Sequence, residues 1–282
     1  MRYCIKEFAS MLGLTVDTLR LYEKHEIVTP EKDDRNNYRY FGDLDARGLL
    51  MSRWYRSMGV PLNEAAGLLK EGTLADAAAS IGEVRSKLEE EIRRSTLLLA
   101  RMNEIGAELE GLGERLFRCT LKRTPGLYRL KQTERNRLLR GDELKNAAGD
   151  WMELLPFAFY SFRIEPEELP RKEKESFDHN WGLALEEEAY ARAGLEESAN
   201  LEYLPPAVCL SAIVASSDAG ILSRETLGFM LEPLAAAGGQ PEQGAFGRLL
   251  LTEKAGNGRR AYLEVNIPLQ PPAVDKLIMQ LL

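Results

Sequence analysis

Residues 81–116 restrict the possible folds of this chain more than any other stretch. Apolar residues recur along it in alternating steps of three and four, a spacing that aligns them as one seam on the side of an α-helix. Nine of the eleven seam positions are apolar: Ile81, Val84, Leu88, Leu98, Met102, Ile105, Leu109, Leu112 and Leu116. The two exceptions are flanked by Ile92 and Leu99, so the apolar stripe shifts there and does not end.

A helix over this stretch would be roughly 54 Å long at about 1.5 Å per residue. Because packing of an apolar face supplies most of the stability of a helix, a helix of this length needs a partner. The sequence therefore predicts that it pairs with a second copy of the chain in a coiled coil. The alternative is a long helix that lies on its own domain.

The chain length and the cysteines indicate the general class of protein. A chain of 282 residues has room for a domain on each side of the long helix. The three cysteines, Cys4, Cys119 and Cys209, are odd in number and far apart, which favours a reducing compartment over a disulfide framework. No apolar run is long enough to cross a bilayer. We therefore expect a cytoplasmic protein without a membrane partner.

The net charge of −7 is unevenly distributed. Residues 1–72 carry 11 basic and 11 acidic side chains, whereas the rest of the chain carries 26 and 33. A neutral module can bind DNA if its arginines share one face, so the overall acidity does not exclude a nucleic-acid partner.

Residues 5–28 predict two short helices joined by a tight turn. Gly13 is placed to end the first helix, and Thr15 to cap the second, which runs from Val16 to about Lys24. Two helices joined in this way form a helix-turn-helix, whose second helix fits the major groove of DNA.

The segment that follows predicts a two-stranded wing and two more helices. Asn36-Asn37 suits a tight hairpin turn. A further helix begins near Asp43, with its predicted buried side formed by Leu44, Leu49, Leu50, Met51 and Trp54, and Gly59-Val60-Pro61 ends it. A fourth short helix ends near Gly72.

Three segments together, IKEFASMLGLTVDTLRLYEKHEIVTP, NNYRYF and YRSMGVPLNEAAGLL, resemble the winged helix-turn-helix of the MerR family of transcription regulators. The resemblance covers about 70 residues, and the long helix follows where that family has its antiparallel dimerisation coiled coil. It differs from the family pattern at Asn36-Asn37, usually Asn-Gly, and at Leu21-Tyr22, commonly two aromatic residues.

The resemblance also implies which residues contact DNA. They are Thr15, Val16, Thr18, Arg20 and Tyr22 of the recognition helix, Tyr38 and Arg39 of the wing, and Arg47 and Arg56 of the second helical pair. Two alternatives stay open. Tyr22 and Tyr38 are equally suited to the core, and the arginines of the second pair can form ion pairs with nearby acids on the surface.

Residues 118–270 predict an α+β domain with an antiparallel sheet, because an order of strand, helix, strand and strand occurs twice. Predicted strands cover 118–123, 127–131, 157–164, 178–190, 206–215, 247–252 and 261–268, and predicted helices cover 142–155 and 220–237. Residues 271–282 predict a short C-terminal helix. The complete prediction is an α+β multidomain chain with domains at 1–75, 76–117, 118–270 and 271–282.

This second domain resembles the GyrI-like effector-binding domain, and the whole chain resembles the multidrug-sensing MerR regulators. The resemblance implies a small-molecule cleft lined by aromatic residues and one buried acid. Our candidates for that cleft are Trp151, Tyr160, Trp181, Tyr203 and Glu264. Since a carboxylate among aromatic rings attracts lipophilic cations, we expect a cationic aromatic effector.

No metal, cofactor or catalytic motif stands out. His25 and His179 are the only histidines, and no zinc spacing, Walker loop or dinucleotide fingerprint is present. The resemblance implies a homodimeric activator that bends promoter DNA for RNA polymerase. Two alternatives are a small-molecule hydrolase using Glu264 with Tyr160 or Tyr203, and a redox or metal sensor based on Cys119.

Overall fold

The computed structural model describes residues 2–35, 38–135, 137–171, 175–196, 198–217, 222–241, 243–256, 258–270, 273–274 and 276–277. The chain divides into two compact units, Met1–Leu97 and Leu98–Leu282, which we call the N-terminal unit and the C-terminal unit. The predicted turn at Asn36-Asn37 and most of the predicted C-terminal helix lie outside the described residues.

The N-terminal unit contains four short helices and a small antiparallel sheet. The helices are α1 (Ile5–Met11), α2 (Val16–Lys24), α3 (Asp43–Ser57) and α4 (Leu62–Lys70); the strands are β1 (Tyr3–Cys4), β2 (Glu31–Lys32) and β3 (Arg39–Phe41), in the order β1-β3-β2. Phe8 and Phe41 stack in the core with ring centroids 4.9 Å apart, and Leu19 and Leu49 are buried beside them. The predicted helix-turn-helix and wing strands are therefore present.

Helix α3 buries a different side from the predicted one. Leu49 is buried together with Ser52 and Tyr55, which follow it at steps of three. The other predicted core residues of this helix, Leu44, Leu50, Met51 and Trp54, are exposed. Steps of three or four residues define one helical face, and these four residues fall outside the face that contains Leu49.

The long helix is present with different ends. Helix α5 (Leu74–Glu110) begins earlier than predicted because Thr73 and Asp76 cap it reciprocally, with Thr73 N donating to Asp76 Oδ2 (2.8 Å) and Asp76 N donating to Thr73 Oγ1 (3.2 Å). It ends before Gly111, and a short helix, α6 (Leu112–Arg115), follows.

The predicted seam divides into three parts. Ile81 and Val84 pack on a cluster within the N-terminal unit, and Leu112 packs on Ile213 and Tyr262 within the C-terminal unit. Between them, every residue from 85 to 100 is exposed, including the apolar ones. Within the described part of the chain, this middle part of the seam and the neighbouring Met102 are exposed.

The C-terminal unit is built on an antiparallel sheet in which eight described strands follow the order β10-β5-β9-β8-β12-β13-β11-β4. Its elements are β4 (Thr120–Thr124), β5 (Leu127–Lys131), β6 (Thr133–Glu134), β7 (Arg137–Leu138), α7 (Asp142–Met152), β8 (Phe159–Ile164), β9 (His179–Glu186), α8 (Glu187–Ala193), β10 (Leu201–Leu204), β11 (Ala207–Ser216), α9 (Arg224–Ala236), β12 (Ala245–Ala255) and β13 (Gly258–Pro268). Strands β6 and β7 form a separate pair.

Two similar halves contribute six of the eight described strands of this sheet, as the recurring sequence order predicts, and β10 and β4 form its edges. The first half is β5-α7-β8-β9 and the second is β11-α9-β12-β13, and they join where β8 pairs with β12. Leu144 and Trp151 of α7 belong to one buried cluster, while Leu227 and Met230 of α9 belong to another. The predicted strand at 178–190 is too long, because it ends at Glu186 and α8 follows.

No helix among the residues that the structure describes is both long and apolar enough to cross a membrane.

Gly247 lies at the junction of the two halves, where it faces Phe162 of β8 and Val265 of β13. A Cβ here would lie 2.6 Å from the Phe162 ring and would also overlap the backbone oxygen of Glu264. We expect Gly247→Ala to destabilise the C-terminal unit by about 2–3 kcal/mol, as overpacking of a core does. Urea unfolding of the full chain, followed by tryptophan fluorescence, measures this.

Gly149→Ala is the matched control for this variant. Gly149 lies in helix α7, and a Cβ there would meet nothing within 4 Å. We expect a gain of about 0.5–1 kcal/mol, since alanine is the better helix former. Equal behaviour of the two variants would contradict the tight packing at Gly247.

Candidate nucleic-acid interface and effector cavity

The start of helix α2 is fixed by Thr15. Its side chain accepts a hydrogen bond from Thr18 N (3.1 Å), and the two threonine hydroxyls lie 2.8 Å apart. Further along α2, Arg20 is exposed and its Nη1 lies 3.1 Å from Asp17 Oδ1. Exposed ion pairs of this kind contribute little to stability, so the guanidinium can exchange Asp17 for a phosphate at little cost.

Two other predicted residues of α2 pack against the core of the N-terminal unit. Tyr22 is only 6% exposed and belongs to the buried cluster around Phe8 and Leu19. Val16 is half-buried against the same cluster. Tyr22 therefore lies in the core, which is one of the two alternatives that the sequence left open for it. The exposed polar surface of α2 near its start is therefore formed by Thr15, Asp17 and Arg20.

The wing is tied to α2 by an ion pair. Arg39 Nε of β3 lies 2.7 Å from Glu23 Oε1 of α2. Tyr38, beside it, is 64% exposed, and its backbone oxygen accepts from Asp33 N (3.0 Å). Arg39 and Tyr38 thus lie on the surface next to the recognition helix, as a wing that contacts DNA would require.

The second helical pair presents its two predicted arginines on the surface. Arg47 forms an exposed ion pair with Asp43 (2.8 Å), which is the surface pairing that the sequence left open, and Arg56 is exposed near the end of α3. Because the Arg47–Asp43 pair is solvated, it does not prevent Arg47 from contacting a phosphate.

A cavity of about 350 Å³ lies within the C-terminal unit, between the last turns of α5 and the β8–β12 junction. Its lining is mainly apolar, with Ile105, Leu109, Leu155, Pro156, Ala158, Phe159, Leu249 and Leu250, together with the ring of Tyr160. Among the described residues, the charged groups on its wall are Arg101, Glu108 and Arg248. Its size and lining are typical of a small-molecule site.

Four charged groups form a chain from α5 into the sheet, which we call the charge chain: Glu108, Arg248, Glu264 and Lys122. Arg248 Nη2 donates to Glu108 Oε1 (2.7 Å), and Arg248 Nε donates to Glu264 Oε2 (2.7 Å). Lys122 Nζ donates to the other oxygen of Glu264. The carboxylate that the sequence predicted as a cation site therefore already has two cations bound to it.

The environment of Glu264 fixes its charge. Burial acts to raise the pKa of its carboxyl, but Arg248 and Lys122 outweigh burial and hold the pKa below the ordinary value. Although burial disfavours the charged guanidinium of Arg248, its two acidic partners raise its pKa. Both groups stay ionised at neutral pH.

The predicted aromatic residues do not converge on this cavity. Tyr160 lines it, and Trp181 lies behind Tyr160 with ring centroids 5.8 Å apart. Trp151 is 1% exposed in the core under α7, and Tyr203 on β10 donates to Glu187 Oε2 (3.2 Å). Trp151 therefore packs in the core of the first half and Tyr203 lies on the edge strand β10, and neither residue lines the cavity.

Arg101, Glu108 and Arg248 are the charged cavity residues that sequence reasoning missed. One signal existed for Arg248, which lies directly opposite Glu264 in the β12–β13 register. Cross-strand pairs of opposite charge are a common stabilising feature of sheets. Without the register, the sequence offers several basic partners for Glu264, among them Arg259 and Arg260.

Cys119 is a poor candidate for a sensor. Its Sγ lies 3.6 Å from the backbone oxygen of Phe229, and burial raises the pKa of the thiol. A raised pKa lowers the fraction of the reactive thiolate. In the described part of the chain, no group of three or more His, Cys, Asp or Glu side chains is arranged to hold a metal ion.

Comparison with known proteins identifies the N-terminal domain. Residues 3–72 match the model of the MerR HTH family regulatory protein. The chain is 32% identical over 71 residues to the HTH-type transcriptional activator TipA of Streptomyces coelicolor, a match that covers 25% of this chain and 28% of TipA. It is 28% identical over 104 residues to the mercuric resistance operon regulatory protein of Pseudomonas fluorescens, covering 36% of this chain and 70% of that protein.

Among solved structures, a chain of the EcmrR–DNA complex determined by cryo-electron microscopy aligns with 95% of this chain and 99% of its own length, at 14% identity and a TM-score of 0.37. The present chain spans little more than a quarter of the length of TipA. Its N-terminal domain is thus of the MerR helix-turn-helix type, and the matched curated proteins are transcription regulators.

Proposed function

We propose that this chain is a ligand-responsive transcription regulator that binds promoter DNA as a homodimer. The observation that carries the proposal is the match of residues 3–72 to the MerR helix-turn-helix model, together with the exposed polar surface of α2 and the neighbouring wing. In a helix-turn-helix dimer, two such helices enter successive major grooves of a pseudo-palindromic site.

The exposed middle part of α5 supports the homodimer. Sixteen consecutive exposed residues that include Leu88, Ile92, Leu98 and Leu99 leave an apolar face in water unless a second helix covers it. An antiparallel pair of α5 helices would cover both faces and hold the two recognition helices at a fixed distance. We propose that this dimer bends promoter DNA and so acts together with RNA polymerase, with an elastic cost of about 1–6 kcal/mol for the bend.

The cavity next to the charge chain is the proposed effector site, and a small lipophilic compound fits its lining. Such a ligand regulates the protein only if it binds the two states of the dimer with different affinities. The expected preference for cations rested on a free Glu264 carboxylate, and both oxygens of that carboxylate are bound. For the same reason Glu264 is a weak base, which favours a sensor over the alternative hydrolase.

Arg20→Ala is expected to weaken binding to DNA by about tenfold or more, because a lost arginine contact costs roughly 1–3 kcal/mol. Fluorescence anisotropy with a duplex that the full-length protein selects from a randomised pool measures this at several salt concentrations, since phosphate contacts weaken with salt.

Arg85→Ala is the matched control for Arg20→Ala. Arg85 is an exposed arginine of the same unit that pairs with Glu89 on α5, outside the helix-turn-helix. The control removes the same charge and should leave the affinity nearly unchanged. Equal affinities of the Arg20 variant and the wild type at moderate salt would exclude Arg20 from the DNA contact.

A further inference from the structure

We infer that the cavity binds an amphiphilic anion, such as an aromatic or aliphatic carboxylate, whose head group takes the place of Glu108 on Arg248. This inference rests on the proposed function and names the class of effector. It reverses the sign of the charge that the sequence led us to expect.

The first argument is the charge on the cavity wall. Two guanidinium groups, those of Arg101 and Arg248, and one carboxylate, that of Glu108, lie among the described lining residues. Both guanidinium groups also have acidic partners outside the lining, Glu104 for Arg101 (2.9 Å) and Glu264 for Arg248 (2.7 Å). The preference for an anion therefore comes from the groups on the mainly apolar cavity wall and not from a net positive charge of the whole cluster. Poor screening in such a surrounding strengthens this preference.

The second argument is which partner of Arg248 a ligand can replace. The Glu264 side chain is 13% exposed and also bound by Lys122, so it lies behind Arg248 and away from solvent. The Glu108 side chain is 32% exposed and lies on the cavity wall. A head group that reaches Arg248 from the cavity therefore competes with Glu108, which can turn into water when it is displaced.

The third argument is the geometry of arginine and of the apolar wall. A guanidinium presents its donors as a planar fork that matches a carboxylate, and such charge-assisted bonds are strong. The Arg248 guanidinium carbon also lies 5.8 Å from the centre of the Phe159 ring, so the head-group site borders an aromatic surface. Ile105, Leu109 and Leu249 can then hold the hydrocarbon part of the ligand.

Displacement of Glu108 would act on the dimerisation helix. The Glu108–Arg248 hydrogen bond joins α5 to strand β12, and the ligand would replace the α5 partner with itself. Occupancy of the cavity would thereby loosen a contact between the end of α5 and the sheet. This gives the ligand the differential interaction that a switch requires.

Isothermal titration calorimetry of the full-length protein tests the inference with two matched series. These are phenylbutyrate, phenylbutanol and phenylbutylamine, and octanoate, octanol and octylamine, which differ within a series only in the head group. We expect the carboxylate to bind about tenfold or more tightly than the alcohol and the amine.

The direction in which Glu108→Gln changes the affinity for the carboxylate ligands is the decisive result, and Glu110→Gln is the control variant. Removing the competing carboxylate should tighten binding of the carboxylate ligands by about tenfold, since Arg248 then keeps only Glu264 as a charged partner. Glu110 is an exposed acid two residues further along α5, outside the cavity lining, and its substitution removes the same charge. It should leave the affinity unchanged.

Three results would overturn the inference. If the amines bind more tightly than the carboxylates, and Glu108→Gln weakens the binding of the amines, the cavity is an effector site for cations. Carboxylate binding that responds equally to both glutamine variants would place the anion elsewhere. Absence of binding by both series would remove the cavity as a site for such amphiphiles. None of these results changes the DNA affinity measured with Arg20→Ala, so failure of the regulator proposal is detected separately.

Discussion

A variant in which Ile92 and Leu99 are both replaced by glutamate is expected to be monomeric and to lose most of its affinity for DNA. Both residues are exposed within the middle part of α5, and a step of seven puts them on one helical face. Two carboxylates from each chain would then be buried in the helix pair, next to apolar residues that offer them no partner. Separating two linked DNA-binding modules lowers their joint affinity by about 10²–10⁴-fold.

Arg94→Glu is the charge-matched control for this double variant. Arg94 lies on α5 two residues after Ile92, about 200° around the helix, on the side opposite the apolar face. The single substitution changes the net charge by the same amount as the two glutamates together. Sedimentation gives the mass of each variant in solution, and anisotropy gives its affinity for the selected duplex.

The outcome separates the two interpretations of the long helix. A control that stays dimeric, beside a monomeric double variant, assigns the dimer contact to the apolar face. If the double variant stays dimeric and binds DNA like the wild type, the exposed face of α5 is not the dimer contact. The alternative to the coiled coil, a long helix that does not pair with a second copy through this face, would then be favoured.

Local patterns predicted much of the fold. The spacing of Phe8, Leu12 and Leu19 and the cap at Thr15 are short-range features, and they were sufficient for the helix-turn-helix. The recurring order of elements was sufficient to predict the two halves of the sheet, because the strands and the helix of each half follow one another along the chain. The ends of α5 were less well predicted, since the Thr73–Asp76 cap is a weaker pattern than the apolar seam that we followed.

Contacts across the sheet were harder to predict. Glu264 was predicted as the acid of the effector cleft, but it is bound by cations from β12 and β4, and the identity of these partners depends on the strand register. The same reason explains Trp151 and Tyr203, which were chosen for their chemistry alone. The position of Tyr203 at the edge of the sheet follows from the pairing of β10 with β5, which no pattern within either strand reveals. Trp151 of α7 is buried against side chains of β5 and β9.

The largest loss of stability is expected from Arg248→Met. The substitution leaves the largely buried Glu264 carboxylate without Arg248, the less exposed of its two cations, and only Lys122 stays bound to it. Removing one partner of a buried ion pair costs about 3–5 kcal/mol, because the remaining charge keeps its burial penalty. Since Lys122 compensates part of that penalty, we expect a loss near the lower end, about 3 kcal/mol, in urea unfolding of the full chain.

The double variant Arg248→Met/Glu264→Gln is the control, because it removes the uncompensated charge as well. It should recover most of the stability that Arg248→Met loses, and the double-mutant cycle gives the coupling energy between the two side chains. Additive losses would mean that the two groups do not interact, which would contradict the charge chain.

The stability difference between wild type and Arg248→Met should also depend on pH, in a direction that the charge of Glu264 determines. In the wild type the pKa of Glu264 is lowered, so its contribution to stability is present above the pKa of the unfolded chain and is lost as pH falls through the folded pKa. In Arg248→Met the main cation that lowers this pKa is gone, so the carboxyl takes up a proton at a higher pH and its burial penalty disappears. The stability difference between wild type and Arg248→Met should therefore shrink as the pH is lowered from neutral toward the ordinary pKa of a glutamate.

The double variant has no Glu264 carboxyl to titrate. The stability difference between the double variant and Arg248→Met should therefore change with pH, because only Arg248→Met takes up a proton at residue 264. A difference between wild type and Arg248→Met that stays constant over this range would show that Arg248 stabilises the sheet by packing and not by its charge.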